Sequence, residues 1–197
     1  MLSVIDCTGH GVPGAIMTMI AASALNRATH ELGYRDPAAT IRRVNELVRN
    51  TLERRLEGPL YDDGLDIGTC YVNRTNREIV FAGARISLFC ADDKTATEIK
   101  GDRQSVGYRS SDPGYMFTNH HVQFPTGADL YLMTDGLIEQ VGGPLKLPLG
   151  KNRLIKFIVE NQGRSPDEQR TLLNNLLMNY RRTEDQRDDI TVVRFRI

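Results

Sequence analysis

Hydrophobic positions near the start of the chain change from a strand-like run to a helical spacing. The mainly apolar run 2–5 is short, whereas residues 13 to about 32 repeat small and apolar side chains with the period of an amphipathic helix. Asp36 and Pro37 form a typical helix start, an N-cap followed by proline, and the apolar stripe after them reaches about Leu56. The sequence therefore predicts a strand followed by two helices.

After a loop at 58–64 the spacing alternates, which is typical of strands. Strand-like segments rich in β-branched and aromatic residues cover 67–72, 78–83, 86–90, about 95–100, 115–124 and 130–134. A short helix and a flap are expected at 137–143. Helical spacing returns at 151–161 and after the capping box that begins at Ser165, and a strand at 190–195 closes the chain. This order of elements predicts an α+β layered domain.

Acidic residues stand at the ends of three apolar runs. Asp6 closes the first run and leads into a glycine-rich turn, Asp135 follows the run 130–134, and the pair Asp188 and Asp189 precedes the last strand. Because hard cations prefer oxygen ligands, carboxylates at these positions suggest one metal site assembled by folding. Each position taken alone has a simpler interpretation, as a turn or N-cap aspartate or as part of a solvated acidic pair.

The same residues carry a family resemblance. The three acidic motifs resemble, in order and separation, those of metal-dependent serine/threonine protein phosphatases of the protein phosphatase 2C (PPM) type, and in particular the bacterial branch with the sporulation and stress-response phosphatases. These motifs are Asp6-Cys7-Thr8-Gly9-His10-Gly11, Met133-Thr134-Asp135-Gly136-Leu137 and Arg187-Asp188-Asp189-Ile190-Thr191-Val192. Supporting matches are Asp63-Gly64-Leu65-Asp66, Phe81-Ala82-Gly83-Ala84 and Gly101-Asp102-Arg103-Gln104-Ser105-Val106-Gly107. The resemblance extends over nearly the whole chain.

The resemblance implies a four-layer αββα fold, an antiparallel β-sandwich flanked by helix pairs. It also implies that two Mn²⁺ or Mg²⁺ ions activate a water for attack on a phosphate ester. Our hypothesis is that Asp6 bridges both ions, while Asp135 and Asp188 hold one of them. The backbone carbonyl of Cys7 is an additional candidate ligand. Asp188 matches the ligand position of the family better than Asp189, which we expect to form local hydrogen bonds, although the choice is close.

Other polar residues have less specific interpretations. His10 is a candidate proton donor to the leaving group, because imidazole titrates near neutral pH, but a role in shaping the loop fits it equally well. His120 and His121 are neighbours in a predicted strand, where side chains alternate between faces, so we expect structural or surface roles. Asp63 and Asp66 stand at the entrance to a strand, near where the resemblance implies acidic residues for a more labile metal or for substrate approach, but we assign them a plain loop role.

Composition narrows the class of protein. The chain has 197 residues, 40% of them hydrophobic, which fits a single soluble domain over 1–197. Its 25 basic and 25 acidic residues cancel, which argues against nucleic acid and membrane surfaces as partners. The 3 cysteines match no structural zinc pattern and predict reduced thiols in the cytoplasm. Cys7 also lacks the following arginine of a cysteine-based phosphatase loop.

The resemblance also sets expectations for function. It implies hydrolysis of phosphoserine or phosphothreonine on a small phosphorylated regulatory protein, such as an anti-sigma-factor antagonist. Relatives carry an earlier strand pair with a further ligand carboxylate in a Gly-Asp motif, so the domain is expected to be shortened at its N-terminus. The alternative is therefore a non-catalytic phosphoprotein-binding module with an incomplete dinuclear centre. An upstream sensor or membrane-tethering module is compatible with a cytoplasmic domain of a longer protein, and the oligomeric state stays open.

Overall fold

The computed structural model describes residues 1–55, 63–92, 95–124 and 127–196. In chain order its elements are β1 (Leu2–Cys7), α1 (Gly11–Leu32), α2 (Pro37–Arg55), β2 (Leu65–Asn73), β3 (Glu78–Ala84), β4 (Leu88–Ala91), β5 (Ala96–Ile99), β6 (His120–Gln123), β7 (Asp129–Met133), α3 (Gly136–Glu139), β8 (Val141–Gly142), β9 (Leu147–Pro148), α4 (Gly150–Glu160), α5 (Pro166–Arg181) and β10 (Val192–Arg196). The chain divides into two compact units, Met1–Leu88 with Lys100–Phe124 and Phe89–Ile99 with Pro125–Ile197.

The first unit is an antiparallel sheet with a helix pair packed on it. Its strands are ordered β1-β2-β3-β6, and β2 pairs with both β1 and β3 over most of its length. Helix α1 buries small side chains such as Ala21 and Ala28, which allow close packing, whereas α2 buries the larger Ile41 and Val44. These residues form one core with Ile67 of β2, and Ile5 and Cys7 of β1 pack against it. The helix pair therefore stabilises the two strands that lead to and from the turn after Asp6.

The second unit has the same plan with different helices. Its sheet is ordered β10-β7-β4-β5, and β8 and β9 form a separate two-stranded hairpin. Helix α4 buries Leu154 and Ile158, and α5 buries Leu177, against Tyr131 of β7. The capping box at the start of α5 is present, since the Glu168 amide donates to Ser165 Oγ over 3.3 Å and the Ser165 amide donates to Glu168 Oε2 over 2.9 Å.

The α+β class, with antiparallel sheets and paired helices, is confirmed. The predicted N-cap of α2 is also confirmed, because Asp36 Oδ1 accepts from the Ala39 amide over 3.0 Å. The predicted helix end at Leu56 and residues 58–62 of the predicted loop lie outside the described residues. Among the described residues, no helix is both long and apolar enough to cross a lipid bilayer.

The prediction of a strand over 115–124 is wrong for its first half, because the strand covers only His120–Gln123. Asp102 accounts for the difference. Its Oδ2 accepts from the Thr118 amide over 2.8 Å, and its Oδ1 accepts from the Tyr115 hydroxyl over 3.3 Å. These bonds hold the segment in an irregular conformation, and Phe117 packs against Tyr115 edge to face with ring centroids 5.0 Å apart.

Candidate functional site

In the first unit, Asp6 stands directly opposite a second carboxylate. The antiparallel register of β1 and β2 pairs Asp6 with Asp66, and both side chains are half-buried. Directly opposed residues in such a pair have Cβ atoms about 4.5–5.5 Å apart, so the two carboxyl groups lie side by side on one face of the sheet. The predicted loop role of Asp66 is therefore wrong, because the residue lies within β2.

The turn after Asp6 is anchored to the start of β2. The Thr8 amide and the Thr8 hydroxyl both donate to the carbonyl oxygen of Gly64, over 3.0 and 2.8 Å. The Gly64 amide returns a bond to Thr8 Oγ1 over 3.0 Å. Farther along, Gly9 has φ +91, and a Cβ on Gly14 would lie 2.5 Å from the Gly9 carbonyl oxygen. The glycine-rich turn thus closes tightly on the first residues of α1.

Cys7 and His10 flank this turn. Burial raises the pKa of the Cys7 thiol, the charge of Asp6 raises it further, and a hydrogen bond with Thr18 opposes both effects. The thiol is therefore protonated at neutral pH and is a poor nucleophile, in agreement with the exclusion of a cysteine-based mechanism. His10 is exposed, precedes α1 in an extended conformation and forms no capping bond through its side chain. The carbonyl ligand at Cys7 and the role of His10 stay predictions.

In the second unit, Asp135 and Asp188 extend from two strands that pair with each other. The register of β7 and β10 runs from Asp129 opposite Arg196 to Met133 opposite Val192, so Asp135 follows β7 at the end where β10 begins.

Thr134 joins the two chains just beyond this end. Its amide donates to the Thr191 carbonyl over 3.1 Å, and its hydroxyl donates to the Asp189 carbonyl over 3.1 Å. The same hydroxyl accepts from the Thr191 amide over 3.0 Å. One side chain therefore fixes the backbone beside both acidic motifs.

A glycine allows the two chains to approach closely. A Cβ on Gly136 would lie 2.4 Å from the Asp189 carbonyl oxygen and 3.3 Å from Asp188 Cβ. Any side chain at this position would force the segment before β10 away from α3. The Asp-Gly pair, which resembles a common turn in the sequence, is thus needed for packing.

The carboxylates of this unit influence one another. Although Glu139 is exposed, partial desolvation of its carboxyl group raises its pKa, and the negative charges of Asp135 and Asp188 raise it further. Asp135 and Glu139 are separated by one helical turn, from the residue before α3 to its last residue. Glu139 lies outside the three acidic motifs of the sequence, although its spacing of one helical turn from Asp135 is visible there.

Asp188 and Asp189 have different local contacts. Asp188 Oδ1 accepts from the Asp189 amide over 2.7 Å, and the Asp188 carbonyl accepts from Gln186 Nε2 over 2.8 Å. The charge of Asp188 reaches Glu139, whereas Asp189 accepts the bond from Thr134 through its backbone. The choice of Asp188 as the ligand stays a prediction.

The far end of the same strand pair carries a buried ionic cluster. Asp129 is 1% exposed and accepts from Arg194 Nη2 over 2.9 Å at both of its oxygens. It also accepts from Arg196 Nε over 2.9 Å and from Arg196 Nη2 over 2.8 Å. Burial raises the pKa of Asp129, but these bonds outweigh it and the pKa lies below its ordinary 3.8. The cluster fixes the register that brings the two acidic motifs together.

The donor chemistry of these residues fits a divalent cation. Hard cations bind carboxylate oxygens, and adjacent carboxylates repel each other until a cation offsets their charge. Such neighbours occur at Asp6 and Asp66, and again at Asp135, Glu139 and Asp188. Within the described ranges, no three or more His, Cys, Asp or Glu side chains form a group arranged to hold an ion. The arrangement is therefore one of neighbouring acidic residues and not of a closed coordination shell.

Comparisons with known proteins place the chain in a family. The sequence profile of the family described as Stage II sporulation protein E (SpoIIE) matches residues 1–197. The chain belongs to the SpoIIE family. The SiaA-PP2C domain of Pseudomonas aeruginosa, a solved structure, is 34% identical, with a TM-score of 0.89 over 99% of this chain and 74% of that chain. No curated protein sequence matches.

Two more distant structures share the fold of this SpoIIE-family chain. RsbX in complex with magnesium is 15% identical, with a TM-score of 0.63 over 98% of this chain and 78% of that chain. The catalytic domain of the serine/threonine protein phosphatase PstP, in complex with 2 manganese ions, is 15% identical, with a TM-score of 0.67 over 98% and 85% of the two chains.

These matches confirm the resemblance that the acidic motifs indicated. The chain is a phosphatase domain of the PP2C type, from the sporulation and stress-response branch. The metal-ligand assignments of Asp6, Cys7, Asp135, Asp188 and Asp189 stay predictions.

Proposed function

We propose that this SpoIIE-family chain hydrolyses phosphoserine and phosphothreonine on a phosphorylated regulatory protein. The observation that carries the proposal is the close approach of the two acidic motifs in the second unit, where the Thr134 bonds and the Gly136 contact hold the segments that carry Asp135 and Asp188 together. A folded protein keeps such charges together at a cost in stability, and divalent cations remove that cost. When bound, two Mn²⁺ or Mg²⁺ ions lower the pKa of a water and neutralise phosphoryl oxygens.

The proposal gives each part of the chain a task. Asp6, Asp135 and Asp188 hold the ions, and the Cys7 carbonyl and Asp189 are the candidate additional ligands. The strand register, the Thr134 bonds and the Gly136 contact keep Asp135 and Asp188 adjacent before any ion binds. Pre-organised ligands bind more tightly because less ordering is needed on binding.

The family resemblance supports one class of substrate. We propose a small switch protein that resembles an anti-sigma-factor antagonist, carrying phosphate on serine or threonine. An upstream sensor or membrane-tethered module would regulate the domain in the cytoplasm. The balance of 25 basic and 25 acidic residues supports a protein substrate in preference to nucleic acid.

Hydrolysis of p-nitrophenyl phosphate and of a phosphoserine peptide, measured against Mn²⁺ concentration, tests the proposal. We expect turnover that requires Mn²⁺, and its loss in Asp135→Asn. Asp167→Asn is the matched control, because this carboxylate at the start of α5 is 90% exposed and should leave turnover unchanged. A chain that binds a phosphoprotein at saturating Mn²⁺ without releasing phosphate would instead be the non-catalytic binding module.

A further inference from the structure

We propose that Tyr108 is a positioning residue for Asp6, acting through a hydrogen bond from its hydroxyl to Thr8. The inference rests on the proposed function in one respect, namely that Asp6 holds a metal ion. Thr8 lies two residues after Asp6, and its Oγ1 lies 2.7 Å from the Tyr108 hydroxyl oxygen. The two residues are 100 positions apart in the sequence, so no local rule of turn formation requires this contact.

The direction of the bond follows from the other partners of Thr8. Its hydroxyl donates to the Gly64 carbonyl over 2.8 Å and accepts from the Gly64 amide over 3.0 Å. Because the single hydroxyl proton is used on Gly64, the Tyr108 hydroxyl is the donor to Thr8. Thr8 Oγ1 is then fully used, and its position is fixed from two sides.

The aromatic ring of Tyr108 is packed into the same place. A Cβ on Gly64 would lie 2.2 Å from Tyr108 Cδ2, so the ring occupies the space that a side chain would need. Gly64 is buried and immediately precedes β2, the strand that places Asp66 opposite Asp6. The ring therefore packs against the residue just before β2, and the hydroxyl fixes the turn between Asp6 and α1.

Helix α2 in turn fixes Tyr108. Arg49 Nη1 donates to the Tyr108 carbonyl over 2.8 Å and to the Ser111 carbonyl over 2.6 Å. One residue earlier, the Gly107 amide donates to Oδ1 of the fully buried Asn45 over 2.9 Å. With its backbone held on both sides, Tyr108 has little freedom to move away from Thr8, and the bond acts as a rigid brace.

A purely structural role predicts a different result from a positioning role. Loss of an ordinary hydrogen bond lowers the stability of the protein and leaves the metal affinity unchanged. A residue that orients a metal ligand typically changes metal affinity by about 10–100-fold when it is altered. Metal affinity and local opening, measured separately from global stability, therefore distinguish the two roles.

The experiment compares Tyr108→Phe with Tyr115→Phe. Each change removes one hydroxyl from the first unit, and the Tyr115 hydroxyl bonds to Asp102 and not to the turn after Asp6. Mn²⁺ affinity is measured by calorimetry, exchange of the Thr8 amide by NMR without metal, and unfolding in urea.

For Tyr108→Phe we expect Mn²⁺ binding weakened about 10-fold or more, and faster exchange at Thr8. Thr8→Ser keeps the hydroxyl and should bind Mn²⁺ as the wild type does. Thr8→Val, which also removes the two bonds of the hydroxyl to Gly64, should weaken binding at least as much as Tyr108→Phe does, and the double variant should lose no more than Thr8→Val alone.

Unchanged Thr8 exchange and Mn²⁺ affinity in Tyr108→Phe would overturn the inference, and so would an equal loss in Tyr115→Phe. If Tyr108→Phe does not fold, Thr8→Val tests the same bond from its other end. If the wild-type chain bound no Mn²⁺, the proposed function would be refuted. Faster exchange of the Thr8 amide in Tyr108→Phe would still show, in that case, that the hydrogen bond from Tyr108 fixes the turn.

Discussion

The two units place carboxylates next to each other by different means. In the first unit, Asp6 lies inside a strand opposite Asp66, and side-chain hydrogen bonds to Thr8 hold the turn that follows. In the second unit, Asp135 and Asp188 lie beyond the ends of their strands. There the close approach of two backbones and a distant ionic cluster determine where the acids stand.

The difference indicates which changes each unit tolerates. A position fixed by side-chain hydrogen bonds is sensitive to removal of a polar group, whereas one fixed by backbone approach is sensitive to added volume. The turn after Asp6 should therefore respond most to loss of a hydroxyl. The acidic end of β7 and β10 should respond most to loss of strand register or of Gly136.

The largest effect is expected far from the acidic motifs, at Asp129. Asp129→Asn leaves the Arg194 guanidinium, whose side chain is only 12% exposed, without a carboxylate, and breaking a buried ion pair in this way typically costs about 3–5 kcal/mol. Urea unfolding at pH 7 measures the loss. Asp167→Asn is the control, because its exposed pair with Arg170 at 3.5 Å should contribute less than about 1 kcal/mol. An equal loss of stability in Asp129→Asn and Asp167→Asn would contradict the stabilising role of the ionic cluster around Asp129.

The same carboxylate predicts the response to acid. The folded-state pKa of Asp129 lies below its ordinary 3.8, so the native state binds the proton less readily than the unfolded state does. This contribution to stability is present above pH 3.8 and is lost as the pH falls through the lower folded-state pKa. The free energy of unfolding of Asp129→Asn should therefore fall less steeply as the pH is lowered than that of the wild type. If both proteins lost stability in acid with the same pH dependence, the low pKa of Asp129 would be contradicted.

Asp188→Asn tests the proposed ligand in the second unit. Loss of a direct metal ligand should lower Mn²⁺ affinity by about 100-fold or more, because even residues that only orient ligands reach that range. Asp189→Asn is the matched variant in the neighbouring position and should have the smaller effect, since the charge of Asp188 and not that of Asp189 reaches Glu139. Calorimetry measures the Mn²⁺ affinity of both variants. A larger loss of affinity in Asp189→Asn than in Asp188→Asn would show that Asp189 is the ligand.

Gly136→Ala adds volume where two backbones meet. The new Cβ would lie 2.4 Å from the Asp189 carbonyl oxygen, and overpacking of this kind typically costs about 1–3 kcal/mol. We also expect weaker Mn²⁺ binding, because the segment that carries Asp188 must move. Gly114→Ala is the control, since its Cβ would meet only Asp112 Oδ1, at 3.5 Å. Two variants of equal stability in urea would show that the backbone approach at Gly136 is not tight.

The sequence predicts positions that depend on local patterns and misses those that depend on distant pairing. Asp6 could be placed near the end of a strand, because an apolar run stops there, and it is the last residue but one of β1. The register that sets Asp66 against Asp6 joins segments 60 residues apart, and the bond from Tyr108 to Thr8 spans 100 residues. The strand predicted over 115–124 failed for the same reason, because Asp102 binds its first half through contacts that local spacing does not contain.

The smallest effect concerns Glu139, the acid that the sequence did not single out. Like charges one helical turn apart cost about 0.2–0.5 kcal/mol, so Glu139→Gln should slightly stabilise the metal-free protein at neutral pH. The pKa of Glu139 is raised above its ordinary 4.5, so its contribution to stability is present below pH 4.5 and is lost as the pH rises through the folded-state pKa. The stability gained in Glu139→Gln should therefore appear only above the folded-state pKa of Glu139. It should become smaller when Mn²⁺ binds and offsets the neighbouring negative charges. Glu160→Gln, which loses an attractive pair with Lys156 at 3.7 Å, should change stability in the opposite direction.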